Sequence, residues 1–467
     1  MIPTPFLDRM KAMLGEEFDA FAESLSGPQY RALRVNTGKI SVEEFLKLSP
    51  FALTNVPWTD NGFYYEEEAR PGKHPFHEAG LYYIQEPSAM APVMFLDVTP
   101  GERVLDLCAA PGGKSTQIGA KLQGKGILVC NEIHPARAKI LSENVERMGI
   151  ANALVTNETS EHLAGFFCGY FDKILVDAPC SGEGMFRKED AAVTEWSPEN
   201  VQLCADRQDE VLDNAAKMLR PGGRLVYSTC TFAPQEDEGA VARFLERHCD
   251  FEIVETVIPE GFMQGRPEWA VKFGGANSSP KELEYTMRLM PHLIKGEGHY
   301  LAVLKRKGDE QDGSGSKLSS QKSLSGKEIK EFWDFAEESI TDKQMFDEGI
   351  YLKFGEQLYL APAETPNLQG LKVLRPGLHL GTIKKNRFEP SHALALTLKK
   401  EQVCRTINLG MDSLEIKHYL SGQTLTAPDL QDKGWCLVLV EGYSIGWGKM
   451  AGGIVKNHYP KGLRKYL

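Results

Sequence analysis

Apolar and polar positions follow two regular patterns along the middle of the chain. Short apolar runs predict buried strands, and longer stretches with apolar residues every three or four positions predict amphipathic helices. Strands are predicted at 103–107, 127–132, 153–157, 173–178 and 224–230, with edge strands at 251–256 and 300–305. Helices are predicted at 115–122, 135–148 and 204–219. This alternation predicts an α/β fold with a doubly wound, Rossmann-like parallel sheet, which binds ligands at the carboxyl ends of its strands.

The segments on either side of this core have a different character. Residues 1–95 combine a predicted helix over 6–24 with short strands and aromatic turns, which predicts an α+β domain. Its basic stretch 31–36, with aromatic residues nearby, suits contact with RNA phosphates and bases, and it suits an ordinary small α+β domain nearly as well. The Ser-, Gly- and Lys-rich segment after the core predicts a flexible linker. The predicted division is 1–95, 96–306, 307–327 (linker), 328–390 (an intermediate domain) and 391–467 (a β-barrel-like module).

The overall composition excludes several classes of protein. Among the 467 residues no apolar run approaches the ~20 residues of a membrane span, and the amino terminus lacks the pattern of a secretory signal. The nine cysteines are scattered without a Cys-x-x-Cys pair. We therefore expect reduced thiols, a cytoplasmic protein, and no metal site or membrane partner.

Charge is distributed unevenly along the chain. The formal net charge is −11, yet residues 370–467 hold 15 Lys and Arg against 7 Asp and Glu, a local net of +8. A basic terminal module on an acidic body suits local attraction to RNA phosphates. The alternative is an ordinary solvated basic face, and charge alone does not separate the two.

A glycine-rich turn lies between the first predicted strand and the first helix of the core. Glycine lets the backbone approach a ligand, and the amino end of a helix offers N–H groups to an anion. Glu132 ends the next predicted strand, where a carboxylate can accept both hydroxyls of a ribose. S-adenosylmethionine has an amino-acid end and a ribose, and it fits both features. The residues predicted to bind it are Cys108, Ala109, Ala110, Pro111, Gly112, Gly113, Lys114, Glu132 and Asp177.

Two further cysteines, Cys180 and Cys230, stand at the ends of two adjacent apolar predicted strands. A strand-end thiol near a cofactor loop indicates nucleophilic catalysis by sulfur. Methylation at carbon 5 of cytosine needs a thiolate on carbon 6, a group near ring nitrogen 3, and a base for the carbon 5 proton. Asp177, Cys180 and Cys230 are candidates for these parts.

Residues 1–306 resemble the RNA cytosine-5 methyltransferases of the NOL1/NOP2/Sun family, which includes the bacterial 16S ribosomal RNA methyltransferases. The matching motifs are the turn at 108–114, Asp-Ala-Pro-Cys-Ser-Gly at 177–182 and Ser-Thr-Cys at 228–230. The segment 83–88 and the tail, with His-Tyr-Pro-Lys-Gly at 458–462, resemble the bacterial branch that carries a PUA-like RNA-binding extension. The resemblance implies a class I S-adenosylmethionine-dependent methyltransferase core with an RNA-contacting amino-terminal domain.

The resemblance also implies roles for individual residues. Cys230 is the expected nucleophile, Cys180 is expected to help release the product, and Asp177 is expected to contact nitrogen 3 of the base. Lys114 could bind the cofactor carboxylate, orient Asp177 or contact the base. Where the family usually has an Asp that contacts the adenosine, this chain has Glu158 or Thr159, and Thr159 is the predicted contact.

The expected substrate is 16S rRNA or the small ribosomal subunit, bound by a monomer. A tRNA substrate is the alternative within the same chemistry. A DNA cytosine-5 methyltransferase would use the Pro-Cys thiol and a later Glu motif, for which this chain shows no convincing match. A non-catalytic RNA-binding assembly factor is disfavoured because Asp177, Cys180 and Cys230 are all present.

Overall fold

The computed structural model of the protein describes residues 2–309, 318–428 and 432–465. The amino-terminal part has strands β1 (Ala32–Val35), β2 (Leu53–Asn55), β3 (Gly62–Tyr65) and β4 (Tyr82–Ile84). They form an antiparallel sheet in the order β2-β3-β1-β4. The accompanying helices are α1 (Thr4–Leu14), α2 (Phe18–Ser24), α3 (Val42–Leu48), α4 (Pro75–Glu78) and α5 (Ala91–Leu96). The prediction of one helix over 6–24 is wrong, because Gly15 adopts a φ of +57° and ends α1.

The central part is built on one large sheet. Its strands are β5 (Arg103–Asp106), β6 (Ile127–Asn131), β7 (Ala153–Thr156), β8 (Phe171–Asp177), β9 (Leu219–Thr229), β10 (Phe251–Ile253), β11 (Met263–Gln264), β12 (Met287–Leu289) and β13 (His299–Arg306). Strands β9-β8-β5-β6-β7 are parallel neighbours, and β13 joins β9 in antiparallel orientation. Asp177 of β8 lies opposite Ser228 of β9, so the loops after these strands leave the sheet side by side.

The helices of the central part cover both faces of this sheet. They are α6 (Gly113–Leu122), α7 (Pro135–Arg147), α8 (Ser160–Phe166), α9 (Asp190–Glu195), α10 (Pro198–Met218), α11 (Glu238–Arg247) and α12 (Pro267–Lys272). The structure confirms the five predicted parallel strands, both predicted edge strands and the helices α6, α7 and α10. The sequence patterns did not indicate α8, α9, α11 and α12.

The carboxy-terminal part contributes two further sheets. The first, ordered β14-β15-β17-β18, combines β14 (Ile350–Phe354), β15 (Gln357–Ala361), β17 (Leu378–Lys384) and β18 (Arg387–Pro390) with α13 (Lys330–Ser339) and α14 (His392–Thr397). The second, ordered β19-β21-β22-β23-β20, combines β19 (Thr406–Leu409), β20 (Leu425–Thr426), β21 (Gly434–Val440), β22 (Tyr443–Ala451) and β23 (Ile454–Asn457) with α15 (Leu414–Leu420). The strand between β15 and β17 in the chain, β16 (Val373–Pro376), instead pairs antiparallel with β7 and extends the central sheet.

The predicted flexible linker lies partly outside the described residues, at 310–317. Its described end is attached to the carboxy-terminal part, since Ser320 pairs with Pro366 and the backbone N–H of Leu324 donates to the carbonyl of Tyr351. The two ends of the chain also share one hydrophobic core. In it Phe45 and Tyr82 of the amino-terminal part belong to the same buried cluster as Ile416 and Tyr419. Within the described ranges no helix is both long and apolar enough to cross a membrane.

Candidate active site

The turn between β5 and α6 forms one side of a site at the carboxyl edge of the central sheet. Gly112 has a φ of +114°, and a Cβ there would lie 3.2 Å from Leu141 and 3.3 Å from Asn144, so α7 packs directly on the turn. Among the residues that the structure describes, no side chain caps the amino end of α6. The first N–H groups of this helix are therefore oriented toward the site and suit an anionic ligand.

Asp106, at the end of β5, lies beneath this turn and was not among the predicted site residues. It is fully buried, and its Oδ2 accepts a hydrogen bond of 2.6 Å from the Ser115 hydroxyl. Its Oδ1 has no hydrogen-bond partner among the described residues. Burial, together with the charges of Asp177 and Glu132, raises the pKa of Asp106 to about 7. The sequence feature that could have indicated Asp106 is an acidic residue between two leucines of a predicted strand.

Glu132 follows β6 and lies beside the same turn, as predicted. Its Oε1 accepts from the backbone N–H of His134 at 2.9 Å, and Arg137 Nη1 lies 3.2 Å from its Oε2. Arg137 also donates to the carbonyl of Ala110, which links Glu132 to the turn. The carboxylate is only 3% exposed in this arrangement. Glu132 is thus held beside the turn, with Arg137 as its ion-pair partner.

Thr159 and Glu158 follow β7, and the protein itself engages both side chains. The Thr159 hydroxyl accepts from the N–H of His162 and caps α8. Glu158 accepts from the N–H of Lys372 at 2.6 Å, next to the start of β16. A cofactor contact from Thr159 therefore stays a prediction.

Asp177, at the end of β8, lies among basic and hydroxyl groups. Lys114 Nζ lies 2.7 Å from its Oδ2, the Ser228 hydroxyl donates to its Oδ1 at 2.8 Å, and His299 Nε2 lies 3.4 Å from Oδ1. Burial raises the pKa of Asp177, but Lys114 and His299 outweigh burial and bring it well below its usual value. Of the three roles considered for Lys114, the observed contact is the one with Asp177.

His299 was missed by the sequence analysis. It is 4% exposed, and it reaches Asp177 because β13 returns antiparallel to β9, with Tyr300 opposite Thr229. That pairing joins residues about 70 positions apart, and no local pattern in the sequence indicates it.

The two predicted thiols meet at the loops after β8 and β9. Cys180 Sγ lies 3.2 Å from Cys230 Sγ, and both residues are half-buried. The hydrogen bond with Cys230, and then burial, raise the pKa of Cys180 well above its usual value. Cys180 is therefore a protonated thiol at neutral pH, close to the predicted nucleophile. The structure brings Cys180 and Cys230 together, as their predicted positions at adjacent strand ends indicated.

Arg34, on β1, connects the amino-terminal part to the cofactor turn. It is 1% exposed and donates to the carbonyl of Gly113 at 2.7 Å and to the hydroxyl of Thr116 at 2.9 Å. Burial lowers the pKa of Arg34 to about 9. The expectation that the basic stretch 31–36 contacts RNA is wrong for Arg34, because its charged group is enclosed by the protein.

Comparison with known proteins agrees with this geometry. The sequence model for "16S rRNA methyltransferase RsmB/F" matches residues 93–305. Models for the RsmF amino-terminal domain, its first carboxy-terminal domain and its PUA domain match residues 2–87, 334–398 and 406–465. The protein is 34% identical to ribosomal RNA small subunit methyltransferase F of Salmonella typhi, over 99% of this chain and 96% of the relative. The chain belongs to the 16S rRNA methyltransferase RsmB/F family.

Other relatives extend this result. The Vibrio vulnificus (strain YJ016) ribosomal RNA small subunit methyltransferase F is 31% identical over 99% of this chain and 97% of its own. A Pyrococcus horikoshii methyltransferase homolog of known structure is 30% identical, with a TM-score of 0.58 over 65% of this chain and 95% of its own. The predicted family, the methyltransferase fold with a PUA domain, and the enzyme class are confirmed.

Proposed function

We propose that the protein methylates carbon 5 of a cytidine in 16S rRNA with S-adenosylmethionine, through a bond between Cys230 and carbon 6. The pair of thiols 3.2 Å apart carries this proposal, because one can attack the base while the other stays protonated beside it. Asp177 adds support, since it is held ionised close to both thiol loops.

The residues around the turn before α6 fit S-adenosylmethionine. The N–H groups at the start of α6 suit its carboxylate, and Asp106, whose Oδ1 has no partner among the described residues, suits its ammonium group. Glu132 suits the ribose hydroxyls. When bound, the cofactor supplies the methyl group. Arg34 fixes the turn from behind through the carbonyl of Gly113.

The side chains around Asp177 fit the chemistry of the base. In the proposed reaction the sulfur of Cys230 bonds to carbon 6, and the electrons of the carbon 5–carbon 6 double bond become available at carbon 5. Asp177, held by Lys114 and His299, stabilises a proton at nitrogen 3 of the ring. After methylation a water molecule takes the carbon 5 proton, the electrons of that C–H bond restore the carbon 5–carbon 6 double bond, and the sulfur of Cys230 leaves carbon 6 as a thiolate. Cys180, next to Cys230, assists this last step.

A covalent-trapping experiment tests the two thiol roles. Cys230→Ala should abolish both methyl incorporation and the protein–RNA adduct, whereas Cys180→Ala should accumulate an adduct that survives denaturation. Cys168→Ala removes an exposed cysteine and is the matched control. The roles would be reversed if Cys180→Ala lost the adduct and Cys230→Ala retained it. Absence of an adduct in the wild type and in all three variants would refute the covalent mechanism.

The PUA domain offers a candidate surface for the RNA. Lys449 of β22 lies directly opposite Lys456 of β23, and both are exposed. Like charges that face each other across paired strands destabilise a sheet, and an RNA phosphate near them would remove that repulsion. Lys449 Nζ also lies 5.2 Å from the centre of the buried Trp435 ring, a cation–π contact that orients the lysine at the surface.

Salt dependence tests this surface in the full-length protein, because truncation would expose the core shared by the two ends of the chain. The double variant Lys449→Gln, Lys456→Gln should bind RNA more weakly, with a salt slope lower by about 1 to 2. Cofactor affinity should not change. Lys125→Gln is the control, because this exposed lysine lies just before the amino end of β6 in the central sheet. An unchanged slope in the double variant would show that the RNA lies elsewhere.

The natural substrate and setting are part of the same proposal. Methylation of 16S rRNA, assembled small subunits and tRNA in parallel assays tests the choice of RNA, and incorporation into tRNA alone would overturn the rRNA assignment. A nucleophilic thiol requires reducing conditions, so we propose that the enzyme acts in the cytoplasm. We also propose that it acts as a monomer, which light scattering of the active enzyme tests.

A further inference from the structure

The backbone on both sides of Cys180 is held by one buried network. Gln208 Nε2, on α10, donates to the carbonyl of Pro179 at 3.0 Å. The N–H of Ser181 donates to Glu236 Oε2 at 2.9 Å, and the Ser181 hydroxyl donates to Glu236 Oε1. Gln208 Nε2 also donates to Glu236 Oε2 at 2.9 Å. The residue before Cys180 and the residue after it are therefore both connected to Glu236.

Glu236 itself is in an unusual environment. It is fully buried, and its partners Ser181 and Gln208 are neutral. No cationic side chain of the described residues forms an ion pair with it. Burial raises its pKa to about 7. A buried carboxyl without a countercharge destabilises a fold, so its position calls for a role beyond packing.

The same segment carries the other thiol. Glu236 lies six residues after Cys230, and the Tyr227 hydroxyl donates to its carbonyl at 2.6 Å. Two further contacts join the Cys180 and Cys230 loops: the Ser181 and Thr231 hydroxyls lie 2.9 Å apart, and the N–H of Gly184 donates to the carbonyl of Cys230. Displacement of Ser181 would therefore change the distance between the two sulfurs.

We propose that Glu236 is a positioning residue that holds Cys180 against Cys230, so that the covalent RNA adduct is resolved in each turnover. This inference rests on the proposed role of Cys180 in product release. The protonated thiol of Cys180 must stay within hydrogen-bond distance of the departing Cys230 sulfur, which lies 3.2 Å away, and a shift of 1 Å in such a group can slow a step by about 100-fold. The network fixes the loop that carries this thiol without contacting Cys230 Sγ.

The variants separate positioning from simple stability. Glu236→Ala removes the acceptor of Ser181 and Gln208, and should release the Cys180 loop. Glu236→Gln keeps the shape, because its amide oxygen can accept from the Ser181 N–H while its amide nitrogen donates to the Ser181 hydroxyl. Ser181→Ala removes the hydroxyl contacts with Glu236 and Thr231 but keeps the backbone N–H contact, and it gives the same readout if Glu236→Ala does not fold. Glu210→Ala, on the exposed face of α10, is the control.

The experiment measures adduct and turnover with the full-length enzyme and 16S rRNA. In Glu236→Ala we expect kcat to fall by about 10- to 100-fold and the denaturation-resistant adduct to accumulate, as in Cys180→Ala. The first round of methyl transfer and the KM for RNA should change by less than about threefold, since Cys230 is left in place. Glu236→Gln should restore turnover to within a few-fold of wild type, and Glu210→Ala should match it.

Two results would overturn the inference, and they are distinguishable. If Cys180→Ala accumulates adduct but folded Glu236→Ala and Ser181→Ala do not, Glu236 does not position Cys180, and the proposed function stands. If Cys180→Ala itself accumulates no adduct, the proposed role of Cys180 fails and this inference fails with it. Accumulation in Cys180→Ala and Glu236→Ala, with rescue in Glu236→Gln, would establish the positioning role.

Discussion

Glu78 connects the two ends of the chain, and its replacement by glutamine tests how firmly the PUA domain is held. Its Oε2 accepts from the Tyr459 hydroxyl at 2.8 Å, and Lys465 Nζ lies 2.8 Å from its Oε1. His77 Nδ1 lies 3.2 Å from the same Oε1. The Glu78 side chain is 11% exposed, and Tyr459 is 1% exposed. The contact thus lies at a mostly dry interface between α4 and the last described residues.

The size of the effect follows from the pKa of Glu78. Burial raises this pKa, but hydrogen bonds from His77, Lys465 and Tyr459 outweigh burial and bring it from 4.5 to about 2. Each pKa unit corresponds to ~1.4 kcal/mol, so the ionised group stabilises the folded protein at neutral pH by at most about 3 kcal/mol. Because the folded-state pKa is the lower one, this contribution is present above pH 4.5 and is lost as the pH falls toward 2. Lys465 is 36% exposed, and screening reduces the value further.

Calorimetric unfolding of Glu78→Gln and wild type measures this difference. We expect Glu78→Gln to be destabilised by about 1–3 kcal/mol near pH 7, and by roughly 1 kcal/mol less near pH 3.5, where part of the contribution is already lost. Glu68→Gln, an exposed glutamate in the same part of the chain, is the control. Destabilisation that is equal at both pH values would show that lost packing, and not the charge of Glu78, is responsible. A Glu78→Gln variant as stable as wild type at neutral pH would refute the calculation.

Three further predictions concern the cofactor side of the site. Arg34→Met should destabilise the protein by about 3 kcal/mol or more and weaken S-adenosylmethionine binding, because it leaves buried acceptors without a donor. Thermal melts with and without cofactor check this, and Arg31→Met, at an exposed arginine, is the control. Glu132→Ala should weaken cofactor binding by roughly tenfold to a hundredfold in calorimetry while RNA binding persists, and unchanged affinity would remove Glu132 from the site. The folded-state pKa of Asp106, about 7, lies above its usual 3.8, so stability should fall as the pH rises between these values. Asp106→Asn should lack this fall, and urea unfolding across the pH range measures it.

The part of the fold that could be predicted consists of elements with a local signal. The strand β6, Ile127–Asn131, is buried at every position and reads as a continuous apolar run in the sequence. Cys180 and Cys230 were expected to meet because each follows a strand of a parallel sheet, and such strand ends lie at one edge. Their predicted proximity needed only that β8 and β9 be neighbours, which the structure confirms.

The remaining features depend on pairings between distant residues. His299 joins the site through β13, and β16 extends the central sheet more than 200 residues after its partner β7. Nothing in the periodicity of either strand specifies its partner, because long-range pairing depends on the shape of the whole chain. Arg34 shows a different failure: an arginine on a short strand suggests an exposed cation, yet the assembled structure encloses it against the cofactor turn.

Asp106 and Asp177, at the ends of the neighbouring strands β5 and β8, have opposite electrostatic environments, and this contrast suits separate roles. Lys114 and His299 hold the pKa of Asp177 well below its usual value, whereas burial and the charge of Asp177 itself raise the pKa of Asp106 to about 7. When the pKa values of two neighbouring carboxyl groups differ strongly, the two groups typically have different roles in the site. A carboxylate that is always ionised suits a ring that gains a proton at nitrogen 3. In the proposed cofactor site, the Asp106 oxygen that has no partner among the described residues suits the ammonium group of S-adenosylmethionine, and binding of that cation favours the ionised form of Asp106. The proposed site therefore links cofactor binding to release of a proton from Asp106, on β5, the strand beside β8.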